Sequence, residues 1–283
     1  MTHPAARPLT GTLYVVATPI GNLADASPRA LEVLRQADLV ACEDTRTTRT
    51  LLARHGIERT TLALHAHNER AASAKLLAAL REGSSVALVT DAGTPGISDP
   101  GALLVEAAHL AGLSVVPVPG PNAAVAAYSA AGFAAERFLF VGFLPAKPAA
   151  RRKAIAALDV PWPVIFYEAP HRVLETVEDL AARFGGEREL VIARELTKKF
   201  EEIARLPLAQ AAAWLGAGAH RQRGEFVLVL GAGTVAAPGR DEGERVLDIL
   251  LASLPASEAA KLAARITGAP RNALYKLALE RAK

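Results

Sequence analysis

The chain has 283 residues, 51% of them hydrophobic and 22% charged, with a formal net charge of +3. That supplies one large or two modest cores and permits an anionic partner without specifying one, while a single cysteine, Cys42, excludes a disulfide framework and any cysteine-rich metal site. No apolar run reaches the roughly 20 residues of a membrane span, and the first ten residues, with His3, Arg7 and two prolines, lack the apolar core of a signal peptide, so a cytoplasmic protein with no membrane partner is expected.

In chain order, Leu13–Ala17 reads as a buried strand running into the loop Thr18-Pro19-Ile20-Gly21-Asn22. Ser27-Pro28 starts a helix through Ala37, with proline at the favoured first position. Leu39–Cys42 is a strand ending in Glu43-Asp44-Thr45-Arg46, followed by a helix from Thr47 to His55 that Gly56 stops. Strand Thr61–Leu64 ends in His65-Ala66-His67-Asn68-Glu69, and Ser73–Arg81 is helical. Strand Val86–Thr90, helix Ala102–Ala111 and strand Val115–Val118 complete an alternation with short connections, the pattern of an α/β unit with a largely parallel sheet.

After Pro119-Gly120-Pro121-Asn122, an alanine-rich helix runs to Ala131. Strands at Phe138–Phe143, Val164–Tyr167, Leu190–Ala193, Glu201–Arg205 and Phe226–Leu230, with helices at Val173–Phe184 and Leu208–Leu215, make a mixed α+β half. Gly231–Gly243 reads as a linker. The tail from Glu244 carries two short helices across Gly268-Ala269-Pro270, with Ser257 as the N-cap of the first; this fits a helix-turn-helix. Lys261, Arg265, Arg271, Lys276, Arg281 and Lys283 make it basic, as either a solvated helix pair or a nucleic-acid contact.

The stretch Val86–Pro100, VALVTDAGTPGISDP, is a buried strand emptying into a rigid loop of glycines, prolines and carboxylates. Such loops at strand C-termini are where open α/β sheets place ligands. It lacks the spacing and Lys-Ser/Thr ending of a phosphate-binding P-loop. Glu43 and Asp44 are either general-base candidates or carboxylates stabilised at a helix N-terminus. His65 and His67 share a face, but nothing completes a metal site, and no metal is expected. Arg172, Lys198 and Lys199 either hold phosphates or are solvated.

The blocks LYVVATPIGNLADASPRALEVLRQADLVACEDTRTTRTLL, LHAHNE, VALVTDAGTPGISDPG, VVPVPGPNAAVAAYSAAGF, FVGFLP, FYEAPHR, ARELTKKFEE and RGEFVLVL resemble, in order, the ribosomal RNA small subunit methyltransferase I family of the tetrapyrrole-methylase-fold superfamily. The resemblance implies a two-domain fold, a parallel α/β N-terminal domain (1–122) and a mixed α+β second domain (123–236), with a linker and helix-turn-helix-like extension (237–283). It also implies a homodimer that transfers methyl from S-adenosylmethionine to the ribose 2′-hydroxyl of a cytidine in the decoding centre of 16S rRNA, as naked RNA or in the small subunit. Carried over by position, Pro19, Ile20, Gly21, Gly93, Thr94, Gly96, Ile97, Ser98, Asp99, Asn122, Ala123, Tyr167 and Glu225 are expected at the cofactor. Glu43, Asp44 and Glu168, in that order, are base candidates. Arg46, Arg172, Lys198 and Lys199 would hold the RNA backbone, and His65, Asn68 and Tyr167 would touch bases. ATPIGN stands where corrin methylases carry a GxGxGD-type loop, which argues against a corrin-type small-molecule substrate; a non-catalytic ribosome-binding protein is the third alternative.

Overall fold

The computed structural model describes residues 11–233 and 240–281; the N-terminal ten residues, residues 234–239 of the expected linker and Lys283 lie outside them. The first half is β1 (Thr12–Val16), α1 (Pro28–Gln36), β2 (Leu39–Cys42), α2 (Thr45–Arg54), β3 (Thr60–Ala63), α3 (Glu69–Arg81), β4 (Val86–Leu88), α4 (Ala102–Leu110) and β5 (Ser114–Val118). Its five strands pair in parallel in the order β3-β2-β4-β1-β5.

Both faces of this sheet are covered, so its strands are apolar at consecutive positions. The two-residue period of a strand divides them. Tyr14, Val16, Val40, Cys42 and Ala87 pack with Val33 and Leu34 of α1 and Leu52 of α2. Leu13, Ala41, Val86 and Leu88 pack with Leu76 and Leu80 of α3 and Leu104 of α4 on the other face. The chain therefore leaves β1 over one face and β4 over the other. These neighbours define a switch point, and a crevice opens beyond their C-terminal ends.

The second half is α5 (Ala123–Ala131), β6 (Leu139–Phe143), α6 (Pro148–Ala156), β7 (Val164–Glu168), α7 (Val173–Phe184), β8 (Glu189–Arg194), β9 (Glu202–Pro207), α8 (Leu208–Gly216) and β10 (Phe226–Leu230). The order is β6-β7-β10-β8-β9, with β6–β7 parallel and the other pairs antiparallel. Phe166, Ile192, Leu228 and their neighbours pack under α6, α7 and α8. On the opposite face Ile165, Val191, Ala193 and Val229 pack against α5, the one helix on that face among the described residues, through Ala124, Ala127 and Ala131. A single short helix leaves the Tyr167 end of that face uncovered.

The structure corrects several expectations. α6 has no counterpart in the elements expected from the sequence. Its inward face carries Arg151, 2% exposed, whose guanidinium donates to Asp179 at 2.7 Å and Glu175 at 3.0 Å, and a buried arginine breaks the apolar periodicity that marks a helix. α3 starts at Glu69 rather than Ser73, because its first turn pairs two charged residues with two alanines and so carries only a weak apolar signal. The expected linker is helical from Arg240, where α9 (Arg240–Leu251) begins; residues 234–239 lie outside the described ones. The tail is thus three helices, with α10 (Ala256–Thr267) and α11 (Arg271–Arg281) packed on α9 around Leu247, Ala260, Ala263 and Leu274. Ser257 lies inside α10, whose N-cap position is Pro255.

Candidate active site

Three strand-end loops of the first sheet fuse into one wall. Thr18 and Gly93 exchange backbone hydrogen bonds of 2.8 and 3.1 Å. The Thr18 hydroxyl donates to the carbonyls of Thr90 (3.1 Å) and Gly93 (3.3 Å). The Thr94 hydroxyl donates to the Pro121 carbonyl at 3.0 Å, joining the loop after β5. Gly93 has φ +87°, and a Cβ there would stand 3.4 Å from Ile20 Cγ2, so the close approach and the left-handed backbone both select glycine.

Opposite this wall stands the uncovered end of the second sheet. Between them lies a cavity of about 360 Å³, within the size range of small-molecule sites. Ten of the thirteen residues expected at a cofactor line it: Ile20, Gly93, Thr94, Ile97, Ser98, Asp99, Asn122, Ala123, Tyr167 and Glu225. Pro19, Gly21 and Gly96 are not on its lining. Phe143, Leu196 and Val227 are on it and are not among the residues expected from the sequence. Val227 is the antiparallel register partner of Tyr167, and the Phe143 ring centre lies 5.5 Å from that of Tyr167. Strand alternation gives the face of such residues, but only the cross-strand pairing says that they meet.

The polar features of the cavity are few. Asn122 caps α5 by accepting from Val125 N–H at 3.1 Å, and the N-terminus of that helix, at Ala123, faces the cavity with its positive dipole end. Asp99 supplies a half-buried carboxyl. Burial, and then repulsion from Glu43, push it above the ordinary carboxylate range, so a cation placed beside it would be drawn to its ionised form. Burial also pushes up the Tyr167 hydroxyl.

The base candidates separate by environment. Asp44 caps α2 through Arg46 N–H at 2.7 Å and pairs with the Arg46 guanidinium at 2.8 Å. Arg46 holds its carboxyl at about 2, too acidic for an effective proton acceptor near neutrality. Glu168 is only 2% exposed. One of its oxygens meets Ala169 N–H (2.8 Å) and Arg172 (2.5 Å), the other the Thr176 hydroxyl (2.7 Å). It is a structural ion-pair partner, not a free base. Glu43 accepts one hydrogen bond, from the Thr90 hydroxyl at 3.1 Å, and stands close enough to Asp99 to repel it.

The expected RNA contacts are also revised. Arg172 is spent on Glu168 and on the Leu144 carbonyl, at 3.3 Å. Lys198 Nζ is clamped at 2.9 Å from both Glu195 and Glu225. Asn68 closes its own turn, donating to the Ala63 carbonyl (3.0 Å) and accepting from His65 N–H (2.8 Å). β3 is the edge strand of its sheet, and neither His65 nor Asn68 lines the cavity. Arg46 is exposed but already paired. Lys199 is exposed and, among the described residues, makes only a cation–π contact with Phe200. No group of three or more metal-ligating side chains occurs among the described residues, and no described helix is long and apolar enough to cross a membrane.

Two family models match the chain: the tetrapyrrole (corrin/porphyrin) methylases over residues 12–212 and the RsmI C-terminal HTH domain over residues 237–282. A protein of Pseudomonas aeruginosa named ribosomal RNA small subunit methyltransferase I is 54% identical over 96% of this chain and 98% of its own length. One of the same name from Escherichia coli O157:H7 is 49% identical over 98% of each. Among solved structures, a uroporphyrin-III C-methyltransferase from Thermus thermophilus superposes with TM-score 0.56 at 24% identity, over 78% of this chain and 94% of that one. A cobalt precorrin-4 methyltransferase superposes with TM-score 0.57 at 17% identity, over 81% and 98%.

Proposed function

The chain belongs to the tetrapyrrole (corrin/porphyrin) methylase family, and from that premise we propose that its cleft methylates the ribose 2′-hydroxyl of a cytidine in the decoding centre of 16S rRNA. The broader activity is S-adenosylmethionine-dependent methylation of small-subunit rRNA. The observation that carries the reading is the end-to-end match to relatives of that name, including the C-terminal helical unit, around a cavity suited to a nucleoside-sized cation. When bound, S-adenosylmethionine supplies a methyl group on a positively charged sulfur.

The chain's own residues account for holding it. Ile20, Leu196, Phe143 and Val227 offer apolar walls for an adenine. The α5 N-terminus suits a carboxylate end, and Asp99 suits a cationic one. The reaction is an in-line displacement, so alignment by two rigid walls supplies much of the rate. The hydroxyl proton goes to a carboxylate, and Glu43 is the candidate whose environment leaves it free to accept. The same reading includes a homodimer acting in the cytoplasm, with sedimentation equilibrium as the check on assembly.

Incubation with labelled S-adenosylmethionine and small subunits, or naked 16S rRNA, should place label on one cytidine ribose; label on bases alone, or none, defeats the reading. Asp99→Ala is expected to weaken S-adenosylmethionine binding by about 10- to 100-fold by calorimetry, corresponding to a charge-assisted contact of roughly 1.5–3 kcal/mol. The pH dependence has a definite sign. A raised carboxyl is protonated over a window just above its ordinary value of 3.8, so affinity should rise with pH through that window and Asp99→Asn should flatten the rise. Unchanged affinity in Asp99→Ala removes this residue from the site.

A further inference from the structure

A second concavity, of about 710 Å³, lies beside the cavity. It is lined on one side by Gly21–Ala24 of the first half, on the other by Thr197–Lys199 of the second, and at its end by Arg54 and His55 from the C-terminus of α2. The two spaces share a partition one residue thick. Ile20 faces the cavity and Gly21 the groove; Leu196 faces the cavity and Thr197 the groove. We propose that this groove holds a phosphodiester of the rRNA strand beside the nucleotide being methylated, a proposal that rests on the rRNA reading above.

Its chemistry is that of an anion site. No acidic residue is on the lining. Lys198 is neutralised by Glu195 and Glu225 and serves as a strut. Arg54 and Lys199 are exposed cations with no ion pair among the described residues. The Thr197 hydroxyl and His55 Nε2 are buried without a hydrogen-bond partner. Buried polar atoms are rarely left so, and a shift of the turn that uncovered either would let a phosphate oxygen satisfy it.

The backbone is built for this wall. Glu195 and Thr197 are the non-glycine residues at positive φ among the described residues, at 51° and 66°. A β-branched residue in that region is an outlier, and such strain gathers at functional sites. The turn is held in place by Glu195 N–H to the Glu225 carbonyl (2.9 Å) and Glu225 N–H to the Glu195 carboxylate (2.9 Å). Gly21 yields the space it needs, since a Cβ there would stand 2.5 Å from Lys198 Cγ.

The test is Arg54→Ala with Lys199→Ala, measured by filter binding to 16S rRNA across a salt series and by steady-state kinetics. The slope of log K against log salt is expected to become shallower by about 0.7, the share of the one phosphate held on a single strand. KM for RNA should rise about tenfold, while calorimetric affinity for S-adenosylmethionine stays at the wild-type value. Arg54→Gln with Lys199→Gln replaces the pair if the alanine variant loses cofactor binding. Lys75→Ala with Arg81→Ala removes equal charge from α3. A wild-type slope and KM in the groove variant, or an equal loss in the α3 variant, overturns the groove. Wild-type protein that neither binds nor methylates 16S rRNA instead defeats the reading on which the groove rests.

Discussion

Glu43→Gln is expected to lower kcat by about 10²–10⁴-fold, the usual worth of a positioned general base, without weakening S-adenosylmethionine binding. The reasoning is comparative. Asp44 is held at about 2 by the Arg46 guanidinium, and both oxygens of Glu168 are occupied in a buried pair. Glu43 keeps one contact, the Thr90 hydroxyl at 3.1 Å, which a glutamine preserves. Its repulsion of Asp99 disappears in the variant, so cofactor affinity should hold or rise slightly. Single-turnover rates at saturating cofactor, followed against pH, separate the two effects. A rate within a few-fold of wild type places the proton elsewhere, with Asp99, which lines the cavity beside Glu43, as the next candidate.

Arg172→Ala is expected to destabilise the fold by about 3–5 kcal/mol, because it leaves the buried Glu168 carboxylate unpaired. At roughly 2–4 °C per kcal/mol for a chain of this class, Tm falls by about 10 °C. Thermal and urea denaturation measure it. Arg172→Met combined with Glu168→Gln should recover part of the loss, since removing both charges also removes the burial penalty. If Arg172→Ala instead keeps wild-type Tm and loses RNA affinity, the residue is a phosphate contact and its pairing with Glu168 is incidental.

Both predictions turn on what the sequence could not say about a charged residue. FYEAPHR and CEDTR were legible as polar strand ends, and the parallel arrangement gathered most of them to one edge. Which charge is free depends on partners that folding supplies: Thr176, across the turn into α7, for Glu168, and residues distant in the chain for the others, Glu225 for Lys198 and Thr90 for Glu43. The same reason hid α6, whose inward arginine is paid for by Asp179 and Glu175, more than twenty residues away.

By itself the sequence determined the order and type of nearly every element, because two-residue alternation and helical caps are local properties of a chain. It also determined the glycine and proline loops that wall the cavity, because a left-handed backbone at Gly93 restricts residue choice directly. Only the tertiary structure decided which loops meet, which charges are neutralised and where the second sheet's apolar face stays open. Those depend on pairing across the switch point between β1 and β4 and on the register of β7 with β10. Such energies come from through-space burial and charge pairing, and sequence separation carries no record of them.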